Sequence, residues 1–559
     1  MTILKSLLVV VCLLPAIPQE RHVTREQRLT FDAGASLLTF NFARSIAADG
    51  EGRVHIVWYD NRDGVTQIYY KRSLDHGRTW GADVRLAASS VRQEHPAIAA
   101  RGDTIYIVWH SQQDNSSNIF LKRSTDGGTD WEPEVQISTS DRAAHASIAV
   151  AGTNVHVVWG DHRDGEQAEV YIRSSGDDGM NWGPEMRISE LPFDSWVPTV
   201  EASGRNVYVA WVDTRDDNEE EYFRRSMDGG QTWGEVTRLT DNAANSWAPS
   251  LVAKGETLHF VWFDQQDSPV QPLDAERELD EVMRRLGLSV DPAPIGVMVT
   301  HPELAAQRRA KEKGQLIERA APAWIAGGGA PARLQAILRD LDELSQRGAS
   351  YLEKERKLDE AIALMGLSYT PGPTDGLPKI YYLDAQKIRV QDKLKQIQAA
   401  APSWVQRGGN PQQLAAALQE FQQLMNTATS EWEIYYRRSS DGGQTWEAAR
   451  RLTFAPGPSA RPSIALNGRD LHVVWYDGRD GNAEVYEKHS PDGGATWEPD
   501  VRLTVAPDDS LQPSVAVAHG LAHVAWYDMR DGNAEIYYRR LPRPLRRFVN
   551  AIRSSPMPG

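Results

Sequence analysis

The feature that most constrains this chain is an internal repeat of about 51 residues. Seven apolar segments, such as "VHIVW" (54–58), end at a tryptophan, and these tryptophans are Trp58, Trp109, Trp159, Trp211, Trp262, Trp475 and Trp526. Neighbouring tryptophans are 50–52 residues apart, except for one step of 213 residues that equals one period plus 162 inserted residues. Because both faces of these segments are apolar or aromatic, each is predicted to be a strand in a sheet covered on both sides. Stacked repeats of this length indicate a β-propeller.

Each repeat contains four strand-like segments. In the sixth repeat, "PSIALNG" (462–468) and the tryptophan strand are followed by "EVYEKHS" (484–490) and "DVRLT" (500–504). The seventh repeat stops after its third segment, and "QRLTFDA" (27–33) matches the fourth segment that it lacks. Pairing between these two parts of the chain would close the ring and leave no open sheet edge. The sequence thus predicts an all-β fold, a seven-bladed β-propeller, with six blades as the alternative.

A second repeated element is an eight-residue box in the turn between the third and fourth strands. Its six copies are "SLDHGRTW" (73–80), "STDGGTDW" (124–131), "SGDDGMNW" (175–182), "SMDGGQTW" (226–233), "SSDGGQTW" (439–446) and "SPDGGATW" (490–497). Their acidic residues are Asp75, Asp126, Asp177, Asp228, Asp441 and Asp492. We expect each Asp to accept hydrogen bonds from backbone N–H groups of its turn and the second glycine to adopt a positive φ. The tryptophan is expected to pack over the hairpin.

These boxes fit the pattern S-x-D-x-G-x-T-W and resemble the Asp-box, or BNR, repeat of sialidases and related propellers. The resemblance covers residues 25–267 and 431–541 and implies a sialidase-like propeller whose box turns lie opposite the active site. Sialidases use an arginine triad, an Asp acid/base and a Tyr nucleophile with a Glu partner, and they carry a Phe/Tyr-Arg-Ile-Pro motif. This chain lacks that motif, and Arg44 in "NFARSIA" (41–47) is the nearest approach to it. The boxes are therefore interpreted as structural, and the catalytic residues stay unknown.

The insertion interrupts blade five between its second and third strands. Residues 268–430 are rich in Ala, Leu, Gln, Glu and Lys with helical periodicity, and they form a duplication. "RELDEVMRRLGL" (277–288) matches "RKLDEAIALMGL" (356–367), and residues 317–344 match residues 397–424. We predict two helical-hairpin units whose apolar stripes pack on each other. Because it leaves a loop between the second and third strands, the insertion should rise from the candidate ligand face. It is interpreted as a lid, a docking module for a protein partner, or a solvated decoration.

Charge and cysteine content exclude several classes of function. The net charge is −15, which argues against nucleic-acid binding because phosphate-binding domains usually carry a basic face. Residues 1–19 resemble a secretory signal peptide, so we predict a secreted or periplasmic protein with no membrane span. Cys12 is the only cysteine and lies in that segment, which excludes a thiolate metal site in the processed chain. No cofactor and no metal site are predicted, and residues 542–559 form a basic C-terminal tail.

The candidate site lies where the blades differ from each other. Five loops between second and third strands repeat D-x-R-D, as in Asp477/Arg479/Asp480, and this motif forms either a ring of charge or an Asp–Arg pair holding each turn. At the aligned starts of the first strands the residues instead vary. The candidate ligand-binding residues are His95, His110, His145, His162, Trp196, Trp247, Arg461 and Gln512. Aromatic faces can stack on sugars, Arg can bind a carboxylate through two bonds and His can move protons near neutral pH.

The function predicted from these residues is recognition of a glycan or polysaccharide by a sialidase-like propeller, with or without glycoside hydrolase activity. Three alternatives remain open from the sequence: an exo-α-sialidase, a propeller polysaccharide lyase that uses His as acid or base, and a non-catalytic scaffold that binds proteins. Convergence of His95, His110, His145 and Arg461 on one pocket would favour a ligand site.

Overall fold

The computed structural model describes residues 24–542 except for 88, 114–115, 166, 191–192, 217, 243, 267–271, 289–297, 301, 347–350, 368–378, 416, 420–431 and 455–456. The predicted signal peptide (1–19) lies outside the described residues, and so does the basic tail apart from its first residue.

Strands account for most of the ordered elements. In chain order they are β1 (Gln27–Arg28), β2 (Ser36–Leu37), β3 (Ile46–Ala48), β4 (Val54–Asp60), β5 (Gln67–Ser73), β6 (Val84–Arg85), β7 (Arg92–Arg101), β8 (Thr104–Gln113), β9 (Ser116–Ser124), β10 (Val135–Gln136), β11 (Ala143–Ala151), β12 (Asn154–Asp161), β13 (Glu169–Ser175), β14 (Met186–Arg187), β15 (Ser195–Ser203), β16 (Asn206–Asp213), β17 (Glu220–Ser226), β18 (Thr237–Arg238), β19 (Ser246–Lys254), β20 (Thr257–Asp264), β21 (Met298–Thr300), β22 (Lys379–Tyr381), β23 (Glu433–Ser439), β24 (Arg450–Arg451), β25 (Ser459–Asn467), β26 (Asp470–Asp477), β27 (Glu484–Ser490), β28 (Val501–Arg502), β29 (Ser510–Ala518), β30 (Leu521–Asp528) and β31 (Glu535–Leu541).

The strands form a ring of antiparallel sheets. Among the described residues, seven sheets contain four or five strands, and we number them as blades one to seven in the order β2–β6, β7–β10, β11–β14, β15–β18, β19-β20-β23-β24, β25–β28 and β29-β30-β31-β1. The first strands of successive blades contact each other, and β29 of the last blade contacts β3 of the first. Gln27 of β1 pairs with Tyr538 of β31, so the N-terminal strand completes the last blade as the sequence predicted. The all-β propeller prediction is confirmed.

The repeated tryptophans and the D-x-R-D loops form one structural unit. In blade six, Asp477 accepts hydrogen bonds from the Trp475 indole N–H at 2.9 Å and from the Ser459 hydroxyl at 2.9 Å. The Arg479 guanidinium pairs with the same carboxylate at 2.5 Å, and the Tyr486 hydroxyl donates to Asp480. The Asp–Arg pair recurs in blades one, three, four and seven. These contacts support the interpretation of D-x-R-D as a turn-holding motif.

The box turns are built as predicted, but they also join neighbouring blades. In the first box, Asp75 accepts from the Thr79 backbone N–H at 2.8 Å and from the Thr79 hydroxyl at 2.7 Å, and Gly77 has a φ of +75°. Trp80 packs edge-on against Tyr538 of the previous blade, with ring centroids 4.9 Å apart. Boxes in blades two, five and six repeat this contact with an aromatic residue of the preceding blade. The box therefore stabilises the interface between blades as well as its own hairpin.

The insertion is helical and interlocked. Its helices are α1 (Pro272–Leu286), α2 (Pro302–Ala326), α3 (Pro331–Gln346), α4 (Tyr351–Met365) and α5 (Tyr382–Gln406). The two sequence copies exchange partners, because α1 packs with α5 while α2 and α3 pack with α4, and the short strands β21 and β22 pair across the copies. None of the helices within the described residues has the length and apolarity to cross a bilayer.

Candidate functional site

The first strand of each blade from two to seven contains a bulge close to its start. In β11, for example, the register shifts between Ala144 and Ser147, and the residue inside the bulge, His145, has a φ of +59°. The residues with positive φ at the equivalent positions of these blades are His95, His145, Val197, Ala248, Arg461 and Gln512. A bulge re-aims a side chain, and non-glycine residues adopt this backbone region only when the surrounding structure holds them there. Four of the predicted site residues thus share one specialised backbone position.

Blade one departs from this arrangement. Ser36 pairs with Asp60 as Ser195 pairs with Asp213, and in both blades the ladder is interrupted after the following residue. It resumes at Ser45, nine residues after Ser36, but at Thr199, four residues after Ser195. Blade one therefore has five extra residues at its start. We call residues 38–44 the central segment.

The central segment reaches across the middle of the ring. The Asn41 amide donates to the Ala146 carbonyl of blade three at 2.9 Å. Arg44 pairs with Glu201 of blade four at 2.8 Å and donates to the Leu251 carbonyl of blade five at 3.0 Å. Burial raises the pKa of Glu201, and the Arg44 guanidinium opposes that rise. Arg44 thus links the central segment to blades four and five.

Three histidines from blades two and three converge beside the central segment. The ring centroids are 5.0 Å apart for His95 and His110, 5.5 Å for His95 and His145, and 5.9 Å for His110 and His145. We call these three residues the histidine cluster. Glu94 joins it, with a carboxylate oxygen 3.9 Å from His110 Nε2. Of the four residues whose convergence would favour a ligand site, the three histidines thus lie together.

The surroundings of the histidine cluster are aromatic. Tyr59 lies edge-on to His95 with ring centroids 5.2 Å apart, and the Phe40 backbone N–H donates to His95 Nδ1 at 3.4 Å. Burial, followed by the neighbouring His110 and His145 rings, holds the pKa of His95 well below its usual range, so this imidazole is neutral at pH 7. Burial alone would raise the pKa of Glu94, but His110, Arg92 and the Thr66 hydroxyl together hold it below its usual value.

Arg461 and Gln512 lie on the other side of the central segment. The Arg461 guanidinium stacks on Phe40 at 4.3 Å and on Phe42 at 4.9 Å, and it donates to the Phe40 carbonyl at 3.1 Å. Its side chain is 9% exposed, so the structure does not present it as an open carboxylate clamp. The Gln512 amide nitrogen, oriented to donate, lies 3.1 Å from the carbonyl oxygens of Leu38 and Thr39. Arg461, Gln512 and Phe42 line a shallow cavity.

The two predicted tryptophans differ from each other. Trp247 is 5% exposed, its ring packs against Trp432 and Phe263, and its indole N–H donates to the buried Glu219. Its assignment as a residue presented to a ligand is therefore wrong, because it forms part of the core. Trp196 is half-buried, and its Nε1 has no hydrogen-bond partner among the described residues.

His162 follows β12, at the start of the loop that leads to β13. Its backbone N–H donates to the Arg142 carbonyl at 3.1 Å. Its ring is not part of the histidine cluster as defined here.

Several site residues were not indicated by the sequence pattern: Phe40, Phe42, Tyr59 and Glu94. Phe40 and Phe42 could have been found, because they lie in the five extra residues by which the start of blade one exceeds that of the other blades. Tyr59 occupies the same strand position as His110, directly after the repeated tryptophan, where blades six and seven also have a tyrosine, so it does not depart from the repeat.

Neither a protein-family profile nor a curated protein matches the chain. A solved ulvan lyase, described as bound to -[GlcA(1-4)Rha3S]-, is 9% identical, with a TM-score of 0.46 over 92% of this chain and 95% of that one. An α-L-arabinofuranosidase from Fusarium graminearum is 11% identical, with a TM-score of 0.37 over 80% and 91%. An α-L-arabinanase from Penicillium chrysogenum is 15% identical, with a TM-score of 0.31 over 44% and 84%. These identities are too low to carry over the role of any residue.

Proposed function

We propose that the protein recognises a glycan at the centre of the propeller, on the face where the blades start. The observation that carries this proposal is a set of half-buried rings around the central segment: Phe40, Tyr59, His95 and His145 on one side and Trp196 on another. Aromatic faces stack on the C–H side of a sugar ring, while imidazole and indole N–H groups can bind its hydroxyls. The two histidines at the bulge position occur in blades two and three, whereas the equivalent residues of blades four to seven are Val197, Ala248, Arg461 and Gln512, so the surface is asymmetric.

The insertion leaves the propeller on this face. Ser246 at the start of β19 pairs with Asp264 at the end of β20, so the chain enters the insertion beside the starts of the first strands. From that placement we propose that the insertion acts as a lid over the ligand or as a docking module for a protein. Export to the periplasm or the medium is also proposed, on the signal-like residues 1–19.

A glycan screen with two readouts tests the proposal. Purified protein is titrated with neutral, uronate-containing and sialylated glycans, and both binding heat and released products are measured. We expect binding to one glycan class. Release of free sialic acid would identify a sialidase, new reducing ends without unsaturation another glycosidase, and unsaturated uronate ends a polysaccharide lyase. Absence of binding to every glycan would refute the proposal in favour of a protein-binding scaffold.

Two variants locate the binding surface. Trp196→Ala should weaken glycan binding by about five- to thirtyfold, because losing one stacked aromatic ring costs on the order of 1–2 kcal/mol. Phe454→Ala is the matched control, since Phe454 is 72% exposed and lies three residues after the outer strand β24 of blade five. Equal losses in the two variants would show that the surface is misplaced.

A further inference from the structure

We propose that the histidine cluster and Glu94 form a binding site for a divalent transition-metal ion such as Zn²⁺. His95 and His145 come from the bulges of β7 and β11, while His110 follows the repeated tryptophan of β8. Glu94 directly precedes His95. Three imidazoles and a carboxylate are a donor set that Zn²⁺, Co²⁺, Ni²⁺ and Cu²⁺ accept, whereas Mg²⁺ and Ca²⁺ prefer oxygen alone.

The spacing of the rings fits such an ion. In a tetrahedral site with Zn–N bonds of about 2.0–2.1 Å, imidazole centroids lie about 3.2 Å from the metal and therefore about 5 Å from each other. The three observed separations are 5.0, 5.5 and 5.9 Å. One ligand atom each from Glu94, His95 and His110 lies within 4.8 Å of the others. Ligation requires about 3.4 Å between such atoms, so the side chains must close in by roughly 1 Å.

A buried ring nitrogen gives a second, independent indication. His110 is 6% exposed, and its Nδ1 has no hydrogen-bond partner among the described residues. A buried polar atom without a partner is costly, and a metal ion would satisfy this nitrogen. Its other nitrogen, Nε2, lies 3.9 Å from a carboxylate oxygen of Glu94.

Metal binding must displace one contact that the structure shows. The Phe40 N–H donates to His95 Nδ1 at 3.4 Å. If Nδ1 binds the ion, this acceptor is occupied, and if Nε2 binds it, Nδ1 of the neutral ring carries the proton. Either way Phe40 loses its acceptor, so we expect the backbone at Phe40 in the central segment to move when the ion binds.

The test measures metal binding without any glycan, so its outcome is separate from that of the glycan proposal. Protein purified without a histidine tag is stripped with a chelator, titrated with Zn²⁺ by calorimetry, and analysed for metal content after desalting. Visible absorption of the Co²⁺-loaded protein reports the ligand geometry. We expect one equivalent per chain in the native protein. His110→Ala and His110→Gln should both bind at least about tenfold more weakly, and Glu94→Gln should bind detectably more weakly.

His519→Ala is the matched control. The His519 and His76 rings, with centroids 5.3 Å apart, form a histidine pair outside the cluster in which His519 is exposed and His76 half-buried, so this pair could take up Zn²⁺ adventitiously. This variant should still bind one equivalent of Zn²⁺ per chain. Circular dichroism and a melting curve verify that each variant is folded, and His110→Gln covers the case in which His110→Ala fails to fold. Three results would each overturn the proposal. They are binding of a full equivalent of Zn²⁺ by folded His110→Gln, loss of that equivalent in His519→Ala, and no stoichiometric Zn²⁺ binding by the native protein.

Discussion

Glu221 allows a quantitative test of how the sheet core tolerates a carboxyl group. It occupies a third-strand position that is aliphatic in the other blades, whose residues there are Ile68, Ile119, Val170, Ile434, Val485 and Ile536. Glu221 is fully buried, and neither of its carboxyl oxygens has a hydrogen-bond partner among the described residues. Burial, followed by the nearby Glu220 and Asp264, raises its pKa well above the usual range. The folded protein therefore holds this group protonated at pH values where the unfolded chain ionises it.

The perturbation is Glu221→Val, which keeps a similar volume. At acid pH the Glu221 carboxyl is neutral in both the folded and the unfolded protein. There the variant's free energy of unfolding should be about 1–3 kcal/mol higher, because an unsatisfied buried group has been removed. Above the unfolded pKa of about 4.3, folding of the native protein takes up a proton, so its stability falls by about 1.4 kcal/mol per pH unit until the folded pKa is reached. The variant lacks that loss, and its advantage should grow as the pH rises.

Urea unfolding of both proteins at pH 5, 6, 7 and 8 measures the difference, because other titrating groups cancel in the comparison. Val170→Glu, at the equivalent position of blade three, is the converse control and should destabilise increasingly with pH. A Glu221→Val variant that is less stable than the native protein at pH 8, or whose advantage does not change with pH, would refute the reasoning.

Two further predictions concern the repeated motifs. Gly128→Ala should lower the free energy of unfolding by more than about 2 kcal/mol, since the residue has a φ of +80° and the added Cβ would lie 2.0 Å from the Tyr70 hydroxyl. Gly64→Ala, at a φ of +89° with no atom within 4 Å of the added Cβ, should cost only the backbone strain of about 1–2 kcal/mol. Thermal unfolding distinguishes the two variants. Gln266→Arg should supply blade five with the missing Asp–Arg pair. Burial raises the pKa of Asp264 to about 6, so its contribution to stability is present at acid pH and is lost as pH rises through 6; the new arginine should lower that pKa and stabilise the protein at pH 7–8, and an unchanged pH profile would contradict this.

Much of the fold could be predicted from the sequence because its signals are local. The repeated tryptophans, the apolar strand segments and the glycine turns recur at a constant period, and each depends mainly on contacts within one blade. The site was predicted less well. His95, His110 and His145 stood out as departures from the repeat, whereas Trp247 departed from it equally and proved to be buried against Trp432.

What the sequence by itself determined was therefore the unit: a four-stranded blade, its box turn and the helical character of the insertion. What only the tertiary structure decided was which of the unusual residues meet. The central segment shows this most clearly, because the Phe40 carbonyl accepts a hydrogen bond from the Arg461 guanidinium, 421 residues away in the chain. Such contacts exist only once the ring has closed, since closure brings the starts of distant blades to one centre. The candidate ligand surface and the proposed metal site both depend on that closure and on no single repeat.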